Sequence, residues 1–155
     1  MKKNLKICIF LFLFFMAFPT LQPQNAQNAV KAKKVIIYAD KGWQDTGILL
    51  NSDQYYSIFA RGSWVSGYDV TATGPEGKGW GTITNGALLG WIGEIKPEKL
   101  DYKSYKKDIV SRIILIGEGG LFKSCGDGKL WLAMGDWSGC KECSGKVEVL
   151  ITVFD

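Results

Sequence analysis

The chain has 155 residues, 46% of them apolar, a formal net charge of +4 and no histidine. Without histidine there is no Ser-His or Cys-His nucleophile pair, no His-x-x-x-His zinc motif and no imidazole acid/base group, so an enzyme here would run on carboxylates alone. Lys2, Lys3 and Lys6 lie in the first six residues; setting them aside takes +4 to +1, which leaves no electrostatic footprint for nucleic acid.

Met1 to Lys6 is a short basic start, and Ile7 to Phe18 is an almost unbroken apolar run. Pro19–Thr20 and a Gln/Asn/Ala segment follow. This order predicts a secretory signal peptide, with cleavage at small residues near Ala17, Ala26 or Ala29. Roughly 12 apolar residues fall short of the ~20 that a spanning helix needs, so no membrane span is expected in the mature chain. Cys8 lies inside the apolar run and is no candidate for a lipidated first residue. The organisation predicted is residues 1–29 as signal and polar lead-in and residues 30–155 as one folded domain, exported to a periplasm or secreted.

In the mature region, Lys33 to Asp40 reads as a first strand, and Trp43 to Leu50 leads to the turn cluster Asn51–Ser52–Asp53. Gln54 to Arg61 alternates, with Tyr56, Ile58 and Ala60 on one face, and Gly62 to Gly67 continues or corners it. Tyr68 to Asn85 is glycine-rich with little periodicity and reads as a long surface loop. Gly86 to Glu94 reads as a buried strand, and Ile95 to Asp108, charged and tyrosine-bearing, as a surface excursion. Ile109 to Gly117 and Gly119 to Lys123 are further strands, with a tight turn at Ser124 to Gly128. Finally Leu130 to Met134 and Val147 to Val153 alternate, and read as the arms of a hairpin around the loop 135–145. No helix is expected. Short strands between glycine-rich turns predict an all-β fold, an antiparallel, jelly-roll-like β-sandwich.

Among the tryptophans, Trp43, Trp64 and Trp91 stand among alternating apolar residues and are expected in the core. Trp131 alternates with Leu130 and Leu132 and is expected on the outer face. Trp80 and Trp137 stand in polar loops, where an indole offers a stacking face and an N–H donor. The lysine clusters at 31–34 and 103–107 read as solvated surface.

Three cysteines remain after the signal: Cys125, Cys140 and Cys143. Cys125 and Cys140 flank a strand of about six residues, or ~20 Å, whereas a disulfide needs Cα atoms within about 7 Å. The expected pair is Cys140–Cys143, a small ring stiffening the last loop. A redox Cys-x-x-Cys would sit at a helix start, and none is expected here. A zinc site built on Cys140, Cys143, Asp136 and Glu142 would lack both histidine and a second Cys-x-x-Cys.

Several pieces, in order, resemble the bacterial PA-IL-type galactose-binding lectins and their galactose-binding-like relatives. They are Trp43 to Gly47 with Ile48 and Leu50; Tyr56 to Trp64; Gly74–Pro75–Glu76–Gly77; Gly86 to Gly90 with Ile92–Gly93; Leu115 to Gly117; Gly128 to Leu132 running into Asp136; and Ser144 to Val149. The resemblance implies a small β-sandwich that binds a galactose-type sugar through calcium. In that family the last loop supplies an Asp and paired asparagines, helped by backbone carbonyls. Asp136 stands at the Asp, Glu142 and Cys143 stand where the asparagines belong, and Gly67 falls at a carbonyl-donating position.

The loop departs from the pattern: Gly135 replaces an Asn, and cysteine sulfur is too soft to replace an amide oxygen toward calcium. The segment before Gly86 is shorter than in the family, has no histidine and carries Trp80. The resulting expectation is a non-enzymatic lectin with sugar contacts from Trp80, Asp136, Trp137 and Glu142. Calcium ligands are expected from Asp136, Glu142 and Gly67. The partner class is carbohydrate or glycoconjugate, and the oligomeric state is open to a homo-oligomer. The alternative is an exported structural or protein-interaction domain that kept the scaffold and lost the sugar site. A small hydrolase would need two carboxylates roughly 5–10 Å apart across a cleft, a spacing that sequence does not display.

Overall fold

The computed structural model describes residues 31–67, 69–78, 85–97, 113–135, 140 and 142–154. The signal segment, most of the 95–108 excursion and the 109–112 start of one expected strand lie outside the described residues. Among the described residues there are nine strands: β1 (Lys31–Tyr38), β2 (Gln44–Leu50), β3 (Tyr55–Ser66), β4 (Asp69–Thr73), β5 (Leu88–Gly93), β6 (Ile113–Leu115), β7 (Gly119–Lys123), β8 (Gly128–Met134) and β9 (Ser144–Val153). A 3-10 turn, Ala39–Lys41, breaks the chain between β1 and β2. Among the described residues no helix is long and apolar enough to cross a membrane.

The strands form two antiparallel sheets. The first runs β1-β9-β3-β4, with β7 also paired to β3; the second runs β2-β8-β5-β6. Alternation along each strand explains the stacking. Val147, Val149, Ile151 and Val153 of β9, with Tyr56, Ile58 and Trp64 of β3, turn inward from the first sheet. They meet Ile48, Leu50, Leu88, Ile92, Leu130, Leu132 and Met134 of the second. Each such aliphatic side chain, removed from water, contributes about 1.5–3 kcal/mol. The all-β sandwich expected from the sequence is thus the fold.

Two expectations are corrected. First, β8 and β9 are not a hairpin, because they lie in different sheets: β8 between β2 and β5, and β9 between β1 and β3. The loop joining them bridges the two layers at one end of the sandwich. Alternation fixes which face a strand buries but not which strand it pairs with. Second, the stretch expected to be one long loop contains β4, which pairs with β3 through Trp64–Thr73 and Ser66–Asp69. Thr73 is buried there, and a strand this short and polar gives almost no periodic signal.

The second sheet buries its outer face as well. Trp43, Ala87, Leu89, Trp91 and Ala133 form a separate buried cluster, with Trp131 half-buried against it and donating its indole N–H to the Gly93 carbonyl at 3.1 Å. Trp43, Trp64 and Trp91 are therefore buried as expected, but on two different sides of that sheet. In β2 the pairing with β8 shifts register between Asp45 and Leu49. The polar groups freed there are satisfied locally: Gly47 N–H donates to Asp45 at 2.7 Å, and Thr46 hydroxyl to the Leu130 carbonyl at 2.6 Å. The Gly47 bond, with Lys129 beside it, holds the Asp45 carboxyl below its usual range.

Tyr56 is fully buried and stacks on Phe122, with ring centroids 5.5 Å apart, yet its hydroxyl has no hydrogen-bond partner among the described residues. Burial pushes its pKa well up, with Cys125 adding to the effect. An unsatisfied buried hydroxyl costs about 1–3 kcal/mol. Tyr56→Phe keeps the ring stacking and removes that cost. Thermal denaturation of the variant should show an unchanged or higher Tm; a fall of several degrees would mean that the hydroxyl has a partner in solution.

Candidate functional site

The described members of the expected site, Gly67 and Glu142, lie just past the end of the sandwich where β3 finishes and β9 begins. The β3–β9 ladder runs from Tyr56–Val153 to Val65–Ser144. Gly67 and Glu142 are each two residues beyond that last pair, so the expected carbonyl donor and the expected carboxylate both follow from the same end of the ladder. Both are exposed. Trp80, Asp136 and Trp137 lie outside the described residues.

The residues flanking those segments are fixed at the same end. Trp64, on β3, donates its indole N–H to the Gly86 carbonyl at 2.6 Å, across the interior. Gly86 N–H donates to the Gly135 carbonyl, and Gly135 N–H to the Ala87 carbonyl, both at 2.7 Å. Lys78 and Asn85 form a bridge through Lys78 N–H and the Asn85 carbonyl at 2.8 Å, and so close the segment 79–84. The segment carrying Trp80 and the one carrying Asp136 and Trp137 therefore leave from adjacent anchor points. Upstream, Gly74–Pro75–Glu76–Gly77 is a tight turn closed by Gly77 N–H to the Gly74 carbonyl, with Pro75 in the position proline favours. Its Pro75 carbonyl accepts from Leu88 N–H at 2.7 Å, which docks the turn on β5.

Glycine matters at the start of β9. Gly145 has φ +93 and lies against β3, where a Cβ would sit 2.7 Å from the Ser63 carbonyl oxygen and 2.8 Å from Trp64 Cα. Only glycine permits both that backbone conformation and that approach. Next to it, Cys140 and Cys143 form a disulfide with Cα atoms 5.2 Å apart. Cys143 is buried in the main core, with Cys140 partly buried against it, while Cys125 is free and exposed, as the spacing of the three predicts.

Sequence reasoning missed one polar group here. The Asn85 side-chain oxygen, beside the Gly86 anchor, is buried without a hydrogen-bond partner among the described residues. Nothing in its composition distinguishes it from a turn asparagine. Among the described residues, no group of three or more His, Cys, Asp or Glu side chains is arranged for a metal. The described part of the site offers the Glu142 carboxylate and backbone carbonyls, fewer than the six to eight oxygens calcium takes. The Cys143 sulfur is committed to the disulfide.

These features define the class: an antiparallel β-sandwich whose last inter-sheet loop and the connection before β5 share one end. No family profile matches the chain, and no curated protein does. A solved structure described as "EclA N-terminal domain; PllA-like lectin" is similar in fold, with a TM-score of 0.57 and 18% sequence identity over 83% of this chain and 99% of that one. At that identity the likeness establishes the fold.

Two outcomes follow from this geometry. Trp64→Phe leaves the buried Gly86 carbonyl unpaired and opens a void, and should destabilise by roughly 2–4 kcal/mol in a urea melt. Reduction of Cys140–Cys143 removes a very short cross-link, worth about 2 kcal/mol in the chain-entropy model. Dithiothreitol should therefore lower the Tm of the wild-type protein by several degrees, and leave a Cys140→Ser variant unmoved.

Proposed function

We propose that this protein is an exported, non-enzymatic carbohydrate-binding domain. In this reading a galactose-type sugar is bound at the end of the sandwich where Gly67, Glu142 and the anchors of the 79–84 and 136–139 segments meet. The observation that supports the reading is the β3–β9 register, whose last pair, Val65–Ser144, lies two residues from both Gly67 and Glu142, with the Gly135–Gly86 anchor joining the connection before β5 to the end of β8. The description of the structural neighbour as a lectin supports it. Asp136 and Glu142 accept hydrogen bonds from sugar hydroxyls, and Trp80 and Trp137 offer indole faces to the C–H side of the ring. If calcium is bound, Asp136, Glu142 and the Gly67 carbonyl hold it, and it supplies further bonds to vicinal hydroxyls.

One observation favours a second reading. Cys143 occupies the place of a family asparagine yet is buried and disulfide-bonded, as expected of an interaction scaffold that has lost the sugar site. A glycan array probed with calcium and then with a chelator separates the two. Galactoside binding that is lost on chelation, and lost in Asp136→Ala and Glu142→Ala, supports the metal-bridged lectin. Binding that survives chelation but is lost in Trp80→Ala or Trp137→Ala places the sugar on the indoles. No binding in either condition rejects the lectin reading in favour of the scaffold.

A further inference from the structure

The outer face of the first sheet is unusually apolar for a surface open to water. Phe59 and Leu121 are 64% and 66% exposed, and Tyr55, Leu150 and Ile36 are exposed beside them. Register makes these one patch. Phe59 is paired with Leu150 across β3–β9, and Leu121 sits beside Ser57, one step along the same face. Together the five side chains expose on the order of 600 Å² of apolar-residue surface, at the upper limit of the ~300–600 Å² patch found on monomers. With the charged residues around them, the face approaches the ~800 Å² that one partner gives to a stable interface. At one end of the patch Tyr55, Leu121 and Phe154 line an open groove of about 750 Å³. Charged residues of both signs surround the patch: Arg61 and Lys34 paired with Glu148 at one end, Lys123 paired with Asp53 at the other.

We propose that this face is the interface of a homodimer, in which two copies pack sheet on sheet about a two-fold axis that crosses the strands at the Ser57–Thr152 row. The proposal is independent of the sugar reading. Its basis is self-complementarity about that row. An in-plane two-fold axis sets positions equally far from the row on opposite sides against each other, so an isologous interface is built from such pairs. Along β3, Phe59 then faces the Tyr55 of the other copy, at the groove. Along β9, Leu150 faces its Phe154, and Leu121, on the axis row, meets its own equivalent. One step further out, Arg61 faces the turn bearing Asp53. Their side chains are 82% and 78% exposed, and their charges are opposite. Apolar groups thus meet apolar groups at the centre and opposite charges meet at the rim, the arrangement of a stable interface. No other row of the face gives both matches.

The test is sedimentation equilibrium of the full chain, wild type and variants, with circular dichroism melts to confirm that each is folded. The wild type should be dimeric at micromolar concentration. Phe59→Ser and Leu121→Ser, both on exposed side chains, should raise the dimer dissociation constant at least tenfold with little change in monomer fold. Arg61→Asp should also weaken the dimer, and the added swap Asp53→Arg should recover most of the loss. A monomer at 100 µM wild type would overturn the proposal. So would a dimer that Phe59→Ser leaves intact, including one that dissociates on reduction of Cys125. Failure of the charge swap to recover association, with Phe59→Ser still disruptive, would overturn the stated axis.

Discussion

The fold turns on one hydrogen bond that crosses its interior. Trp64 belongs to the first sheet and is fully buried, and its indole N–H reaches the Gly86 carbonyl at the start of the second. An indole in an apolar interior must find an acceptor, and a buried carbonyl must find a donor. Each satisfies the other here, and no water is needed. Because Gly86 also binds Gly135 through its N–H, the same contact fixes where β8 ends and where the inter-sheet loop departs. Gly145, pressed against the backbone of Trp64, then fixes where that loop returns. The position of the candidate site is a consequence of how one tryptophan is satisfied.

This explains why so much of the fold was legible and why some of it was not. β7 was readable to the residue, since the turns that bound it are local properties of the chain. β3 was readable from Gln54 to Arg61, but whether the chain then continued or cornered was open, because its run to Ser66 rests on partners far away in sequence. The mispairing of β8 with β9 has a clear cause. Both strands show a clean period of two, and adjacency in sequence suggests a hairpin. Yet the loop between them is long enough to cross between layers, and the partners that claimed each strand, β5 and β3, lie dozens of residues away. β4 escaped notice because five residues, DVTAT, are too few for a period to stand out within a glycine-rich stretch, and its buried Thr73 is polar. Trp43, Trp64 and Trp91 were rightly placed as buried, but sequence does not tell the two faces of a doubly buried sheet apart.

The site was legible in a different sense. Gly67 and Glu142 were named from a resemblance in order and spacing, and the β3–β9 ladder, without any use of that resemblance, ends two residues short of each. Register carries no further than that point. Beyond it, the loop chemistry departs from the resemblance. A disulfide between Cys140 and Cys143 stiffens the return of the loop, and Cys143 turns into the core rather than toward solvent. A short covalent ring limits the conformations of a loop whatever the loop binds, so rigidity here argues for a preformed surface but not for any one ligand.

The two proposed surfaces lie far apart, and their relation has a geometric consequence. The sugar end lies beyond Val65, about eight residues along β3 from the Ser57 row, which at ~3.4 Å per residue is on the order of 30 Å. A two-fold axis at that row sends the two sugar ends in opposite directions, separated by on the order of 60 Å. Such a dimer does not gain avidity on one flat surface, because both sites cannot face it at once. It can join two separate glycan-bearing surfaces. The outer face of β3 and the loops beyond its end would then divide the work, one holding two copies together and the other meeting sugar, with Trp64 fixing the strand on which both depend.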